Sequence, residues 1–166
     1  MAGNILVAGV GNIFLGDDAF GVEVVQRLAQ RELPDHIRVI DFGIRSYDLA
    51  YALMEPWDLV ILVDAVPMGD EPGTIYTIEP ELPSENEPNG SAAFDAHTMN
   101  PASVLQMVAA LGGKPSRVLL VGCEPANLEP EMDGQIGLSA PVQNAVEEAI
   151  RSIEAIISRT SQSQAA

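Results

Sequence analysis

Residues 5–21 constrain the fold most tightly. Ile5-Leu6-Val7-Ala8 is a short apolar run, Gly9-Val10-Gly11-Asn12 is a Gly-rich turn, and Asp17-Asp18-Ala19-Phe20-Gly21 opens an amphipathic stretch. The order is strand, turn, helix. Such a unit sets its loop at the carboxyl edge of a sheet, where α/β proteins place their sites. A dinucleotide-binding turn would carry a third glycine and a helix start that welcomes phosphate. This turn has Phe14 where that glycine is wanted, and two carboxylates crowd the helix start. Negative charge there favours a cation over a phosphate.

Strand-like and helix-like segments alternate along the rest of the chain, the pattern of a parallel sheet covered by helices on both faces. A helix is predicted over 18–32, with Phe20, Val24, Val25 and Leu28 on one face and Pro34 forbidding continuation. Residues 37–41 read as a second strand and 47–54 as a short helix. Residues 59–64 are nearly all apolar, as a central strand buried on both faces should be. Residues 74–78 alternate and follow with no room for a crossover helix, so that strand is expected antiparallel. Residues 80–95 form a long Pro/Glu/Asn/Gly/Ser-rich loop, of the kind that is usually functional or mobile. Asn100-Pro101 supplies an N-cap and N1 proline for a helix ending at Gly112-Gly113. A last strand at 117–121 and a helix from Ser139-Ala140-Pro141 to about Ser158 complete one domain over 1–158, with 159–166 expected as a disordered tail.

Composition narrows the function. With 24 acidic against 8 basic residues the formal net charge is −16. Nucleic acid and anionic membrane surfaces need clustered Lys and Arg, so neither is an expected partner. A single cysteine, Cys123, excludes an internal disulfide and a multi-cysteine zinc site. The amino terminus has no basic n-region and no apolar run long enough to span a bilayer, so a cytoplasmic location is expected. A monomer is expected as well.

Three residues stand just past strand ends or at a crossover: Asp18 beyond the first strand, Asp64 ending the third, and His97 before the helix that leads to the last strand. If strands one and three are neighbours, the two aspartates face each other across the carboxyl edge. Two carboxylates and an imidazole suit Zn, Ni, Mn, Co or Fe with positions left open. Asp17 reads most simply as a helix N-cap. His36 follows Pro34-Asp35 and is expected to be solvent-exposed. Cys123 stands past a strand end; a Cys–His pair with His97 is conceivable, but a buried, inert thiol is the simpler expectation. Asp41 ends strand two, where a dinucleotide fold would hold a ribose, but the incomplete glycine motif argues against that use.

With these residues in place, the chain resembles the hydrogenase maturation endopeptidases. The resemblance rests on Gly9-Val10-Gly11-Asn12 with Gly16-Asp17-Asp18-Ala19-Phe20-Gly21, the strand ending in Asp64-Ala65, the isolated His97, and Val121-Gly122-Cys123-Glu124-Pro125. It spans residues 4–155. It implies a three-layer α/β/α sandwich on a five-stranded, mostly parallel twisted sheet with one antiparallel strand. It also implies that Asp18, Asp64 and His97 contact a metal and carry the catalysis. The implied activity is removal of the C-terminal extension of a nickel-iron hydrogenase large-subunit precursor after nickel insertion, in a family grouped with aspartic-type endopeptidases. Nickel would come with the precursor, and no organic cofactor is implied. The residues alone also allow a self-sufficient metal-dependent hydrolase that binds its own ion at the same three ligands. Where the family often carries Gly-Thr after strand two, this chain has Asp41-Phe42-Gly43-Ile44-Arg45-Ser46.

Overall fold

The computed structural model describes residues 3–83, 100–129 and 137–165. Five strands form one sheet: β1 (Ile5–Val10), β2 (Ile37–Gly43), β3 (Leu59–Ala65), β4 (Ile75–Ile78) and β5 (Val118–Cys123). Their spatial order is β2-β1-β3-β5-β4. Every pairing is parallel except β4 with β5, which is antiparallel. The expected α/β architecture is therefore the observed one. The short β3–β4 connection leaves no room for a crossover, so β4 must run backwards along the sheet edge.

Helices α1 (Phe20–Leu28) and α4 (Ala140–Ala165) cover one face; α2 (Ser46–Leu53) and α3 (Pro101–Ala110) cover the other. Strand alternation divides the core in two. Ile5, Val7, Ile61, Val63 and Val121 pack with α1 and α4, while Leu6, Ala8, Val60, Leu62 and Val118 pack with α2 and α3. All six residues of β1 and all seven of β3 are buried, as strands covered on both faces require.

Several boundaries differ from the sequence reading; β2 runs on to Gly43 and β5 to Cys123, which therefore ends its strand rather than standing past it. The helix predicted over 18–32 begins as a 3-10 turn, Gly16–Ala19, becomes α-helical only at Phe20, and ends at Leu28. Beyond it the amides of Gln30 and Arg31 bond the carbonyls of Arg27 and Leu28, three residues back, which tightens the last turn. The tail expected over 159–166 is helical through Ala165, and Thr160 Oγ1 donates to the Ile156 carbonyl. Once a helix is nucleated, each added residue gains a bond, so polarity alone does not stop it. The predicted cap of α3 is present: Asn100 Oδ1 accepts from the Ala102 amide at 3.0 Å, with proline following. Of the long loop, residues 84–95 lie outside the described residues.

Candidate active site

β1 pairs with β3 so that Gly9 lies beside Val63, which leaves Asp64 at the carboxyl rim next to Val10. Asp64 follows Val60 and Leu62 in alternation, on the face that α2 and α3 cover. Here the chain leaves β1 for a helix on one face and reaches β3 from a helix on the other. This is the crevice where open α/β sheets bind ligands.

The turn carrying Asp18 reaches this rim because two glycines permit it. A Cβ on Gly11, whose φ is +141°, would sit 1.9 Å from the Asp18 carbonyl oxygen. A Cβ on Gly21 would sit 2.1 Å from the Val63 carbonyl oxygen and 2.5 Å from that of Val10. Helix α1 thus presses against the ends of both strands, and the Asp18 turn is carried with it.

Asp18 Oδ2 accepts from the Asn12 amide at 2.7 Å. Asp64 Oδ1 accepts from the Ala65 amide at 2.9 Å. The second oxygen of each carboxylate accepts no hydrogen bond among the described residues. Asp64 is buried, and burial pushes its carboxyl well above the usual range; the charge of Asp18 pushes it further. Burial raises Asp18 too, against the Asn12 bond that lowers it. The structure therefore brings two of the three expected ligands into electrostatic contact. The third, His97, lies outside the described residues. Among the described residues alone, no group of three or more acidic, His or Cys side chains is placed to hold a metal ion. Two carboxylates that repel each other, each with an oxygen that accepts no bond from the described residues, carry charge that a divalent cation would neutralise.

Asp17 does a different job from the one its position suggests. It is 1% exposed and caps neither the 3-10 turn nor α1. Its Oδ2 accepts from the amides of Ala126 (2.8 Å) and Asn127 (3.0 Å) and from Ser139 Oγ (2.8 Å), and its Oδ1 accepts from the Ser139 amide (2.7 Å). Its own amide donates to the Asn127 carbonyl. Asp17 thereby ties the Asp18 turn to the segment after β5 and to the start of α4.

A second clamp, not anticipated from the sequence, centres on Glu124. This buried carboxylate accepts from the amides of Met68 and Gly69 and from the Tyr76 hydroxyl. Those bonds hold its pKa below the ordinary value. They fasten the β3–β4 loop, which begins two residues after Asp64, to the end of β5. The only sequence signal was an acid directly after a strand end, a place where a buried charge needs partners.

Cys123 is buried, and its thiol is pushed up to about 12, chiefly by burial and then by the charge of Asp17. That suits an inert packing residue rather than a nucleophile. His36 departs from its expected exposure. It is half-buried, with Nε2 enclosed and without a hydrogen-bond partner, because its carbonyl accepts from the Ile5 amide and draws the residue against the sheet. Asp41 lies on β2 and accepts at Oδ2 from Gln26.

Comparison with known proteins identifies the family. The sequence profile of the HycI hydrogenase maturation protease family matches residues 22–156. The hydrogenase 2 maturation protease of Escherichia coli is 33% identical over 154 residues, covering 92% of this chain and 90% of that protein. The hydrogenase expression/formation protein HupD of Rhodobacter capsulatus is 32% identical over 160 residues, covering 91% of this chain and 71% of that protein. Among solved structures, the hydrogenase maturating endopeptidase HybD of E. coli superposes with a TM-score of 0.75 at 32% identity, covering 95% of this chain and 93% of that one. With a family profile over most of its length and relatives more than 30% identical along nearly all of it, the chain belongs to the hydrogenase maturation protease family.

Proposed function

We propose that this chain removes the C-terminal extension of a nickel-iron hydrogenase large-subunit precursor after nickel has been inserted. In this reading Asp18, Asp64 and His97 grip the nickel that the precursor carries and so place the scissile bond at the rim. The observation that supports it is the pair of carboxylates at the β1–β3 crevice, each with an oxygen that accepts no bond from the described residues, in a chain of this family.

The chemistry follows from the pair. Without a cation, burial and mutual repulsion favour holding a proton on Asp64. A divalent ion held by Asp18 and Asp64 would offset that repulsion, and binding it would release the Asp64 proton. The site then binds its target well only when the target brings the ion. Nickel acts here as a feature of the substrate, and precursor lacking it is left whole. A carboxylate of the same pair would also serve as the base that takes a proton from an attacking water, the role an aspartic-type endopeptidase assigns it. We place the enzyme in the cytoplasm, as a monomer.

The test is processing of nickel-loaded against nickel-free precursor by the wild type and by His97→Ala, followed by mass spectrometry of the product. Wild type should cut only the loaded form, and His97→Ala neither. Efficient cutting of nickel-free precursor in chelator would refute the reading. Near-stoichiometric metal retained by the purified protein after dialysis, with activity on generic peptides, would favour the self-sufficient hydrolase instead.

A further inference from the structure

The rim beside Asp18 carries an apolar surface that the chemistry above does not use. Phe14 is 64% exposed and Ile13 43%, both in the turn between β1 and the Asp18 segment. Ile44 is 42% exposed in the neighbouring turn after β2. One backbone bond, from the Gly11 amide to the Gly43 carbonyl, joins these two turns. Helix α2 starts at once from the second turn, and Tyr47 (54% exposed) and Tyr51 (72% exposed) stand one helical turn apart on the same side of it. Of the seven aromatic residues described, three lie in this stretch with more than half their surface open to water.

Its charge is as unusual as its polarity. The chain as a whole carries −16, yet no charged residue occurs before Asp17. In the second turn, Arg45 and Asp48 pair with each other at 3.2 Å, and Arg45 also donates to the carbonyls of Phe42 and Asp41. The surface next to the site is thus aromatic and charge-balanced, while the rest of the molecule is strongly acidic. Exposed aromatic side chains in such a setting mark protein contacts.

We infer that the surface formed by Ile13, Phe14, Ile44, Tyr47 and Tyr51 docks the folded body of the precursor and thereby directs its tail to Asp18 and Asp64. The inference rests on the peptidase reading above and names the partner of that same site. Side chains this exposed make a raised or flat contact, which fits a folded protein; a bare peptide would call for an enclosing groove. The position supports the same partner, since the turn of Ile13 and Phe14 leads directly into the Asp18 segment and is tied to the Ile44 turn by the Gly11–Gly43 bond. A grip on an ion also cannot tell one nickel protein from another. Discrimination needs contact area, and among the described residues this surface offers apolar area next to the site.

The experiment compares wild type, Phe14→Ser/Tyr51→Ser, and Leu111→Ser, an exposed apolar control at the far end of α3. The substrate is the nickel-loaded large-subunit precursor encoded in the same genome. Affinity is measured separately with each variant in an Asp64→Asn background. We expect the double variant to raise KM and weaken the dissociation constant at least tenfold, with an unchanged melting temperature and Leu111→Ser near wild type. An unchanged KM and affinity in the double variant, while wild type binds the precursor, would overturn the docking surface. So would a wild type that sediments as a dimer and becomes monomeric on the double substitution, because the surface would then belong to a second copy. If the precursor binds through this surface but wild type never cuts it, the peptidase reading falls and the docking surface stands.

Discussion

Replacing Asp17 by alanine separates a holding carboxylate from a reacting one. Asp17 is almost fully buried, and among the described residues its two oxygens accept four hydrogen bonds, from Ala126, Asn127 and twice from Ser139, none of them from a cation. A hydrogen bond to a charged group contributes about 1.5–3 kcal/mol. Bonds that share one acceptor group do not add, and donors freed by truncation partly regain water. Removing one side of a buried charged network costs about 3–5 kcal/mol, so we take about 4 kcal/mol for Asp17→Ala. Against a total stability of about 5–15 kcal/mol, the variant should fold but lose a large share of its margin. At roughly 2–4 °C per kcal/mol for a chain of this size, the melting temperature should fall by about 12 °C.

Asp17→Asn sharpens the test. An amide oxygen in the Oδ2 position keeps the bonds from Ala126, Asn127 and Ser139 Oγ, but its NH2 group then faces the Ser139 amide, another donor. The asparagine variant should lose about 2 kcal/mol, roughly half the alanine cost. Ser139→Ala removes one bond and should cost about 1 kcal/mol. Thermal unfolding followed by far-ultraviolet circular dichroism at neutral pH reads all three. An alanine variant melting within 2 °C of wild type would refute the clamp.

Asp64→Asn should abolish processing and yet stabilise the fold. A carboxyl whose folded pKa lies above its unfolded value contributes stability below about pH 4 that is lost as pH rises through the folded value. Asparagine is free of that loss, so the variant's advantage in urea midpoint should open as pH rises from about 4; equal midpoints across that range would refute it. Glu124→Gln should act with the opposite sign: a depressed carboxyl stabilises above its unfolded pKa and ceases to as pH falls. Its readout is faster hydrogen exchange at the Met68 and Gly69 amides, and unchanged exchange there would dismiss the clamp. Cys123 should stay unreactive toward a thiol reagent in the native protein at neutral pH and react on unfolding, and Cys123→Ala should process the precursor as wild type does.

What could be read from the sequence was what depends on near neighbours. The apolar run of β3, the alternation of β4, and the Asn100-Pro101 cap each state a local preference that the fold keeps. Whether β1 and β3 are neighbours was a condition the sequence left open; the sheet order meets it and sets Asp18 near enough to raise Asp64. What escaped depends on distant partners. Asp17 in isolation is an ideal cap, but its donors lie 109 to 122 residues along the chain, where no local pattern could announce them. Glu124 likewise finds the amides of a loop more than fifty residues earlier. The helical continuation of α4 escaped because its apolar periodicity fades at Ile157 while its backbone bonding does not.

The adjacent acids Asp17 and Asp18 show why such a site needs both. Asp18 keeps one oxygen without a bond from the described residues near the buried Asp64; burial raises the proton affinity of both, the Asp18 charge raises that of Asp64 further, and holding them charged opposes folding. Left to itself, the turn would relax and part the two charges. Two features oppose that. The glycines at 11 and 21 press the turn against the strand ends, where a shift would meet backbone atoms at once. Asp17 spends its whole hydrogen-bonding capacity on main-chain and hydroxyl donors from two other segments, so rotation of the turn breaks four bonds together. The local instability is thus offset by groups that never touch the substrate. Loosening Asp17 should therefore lower Asp64's proton affinity before it unfolds the protein: as the carboxylates separate, their repulsion weakens and so does their joint hold on a cation.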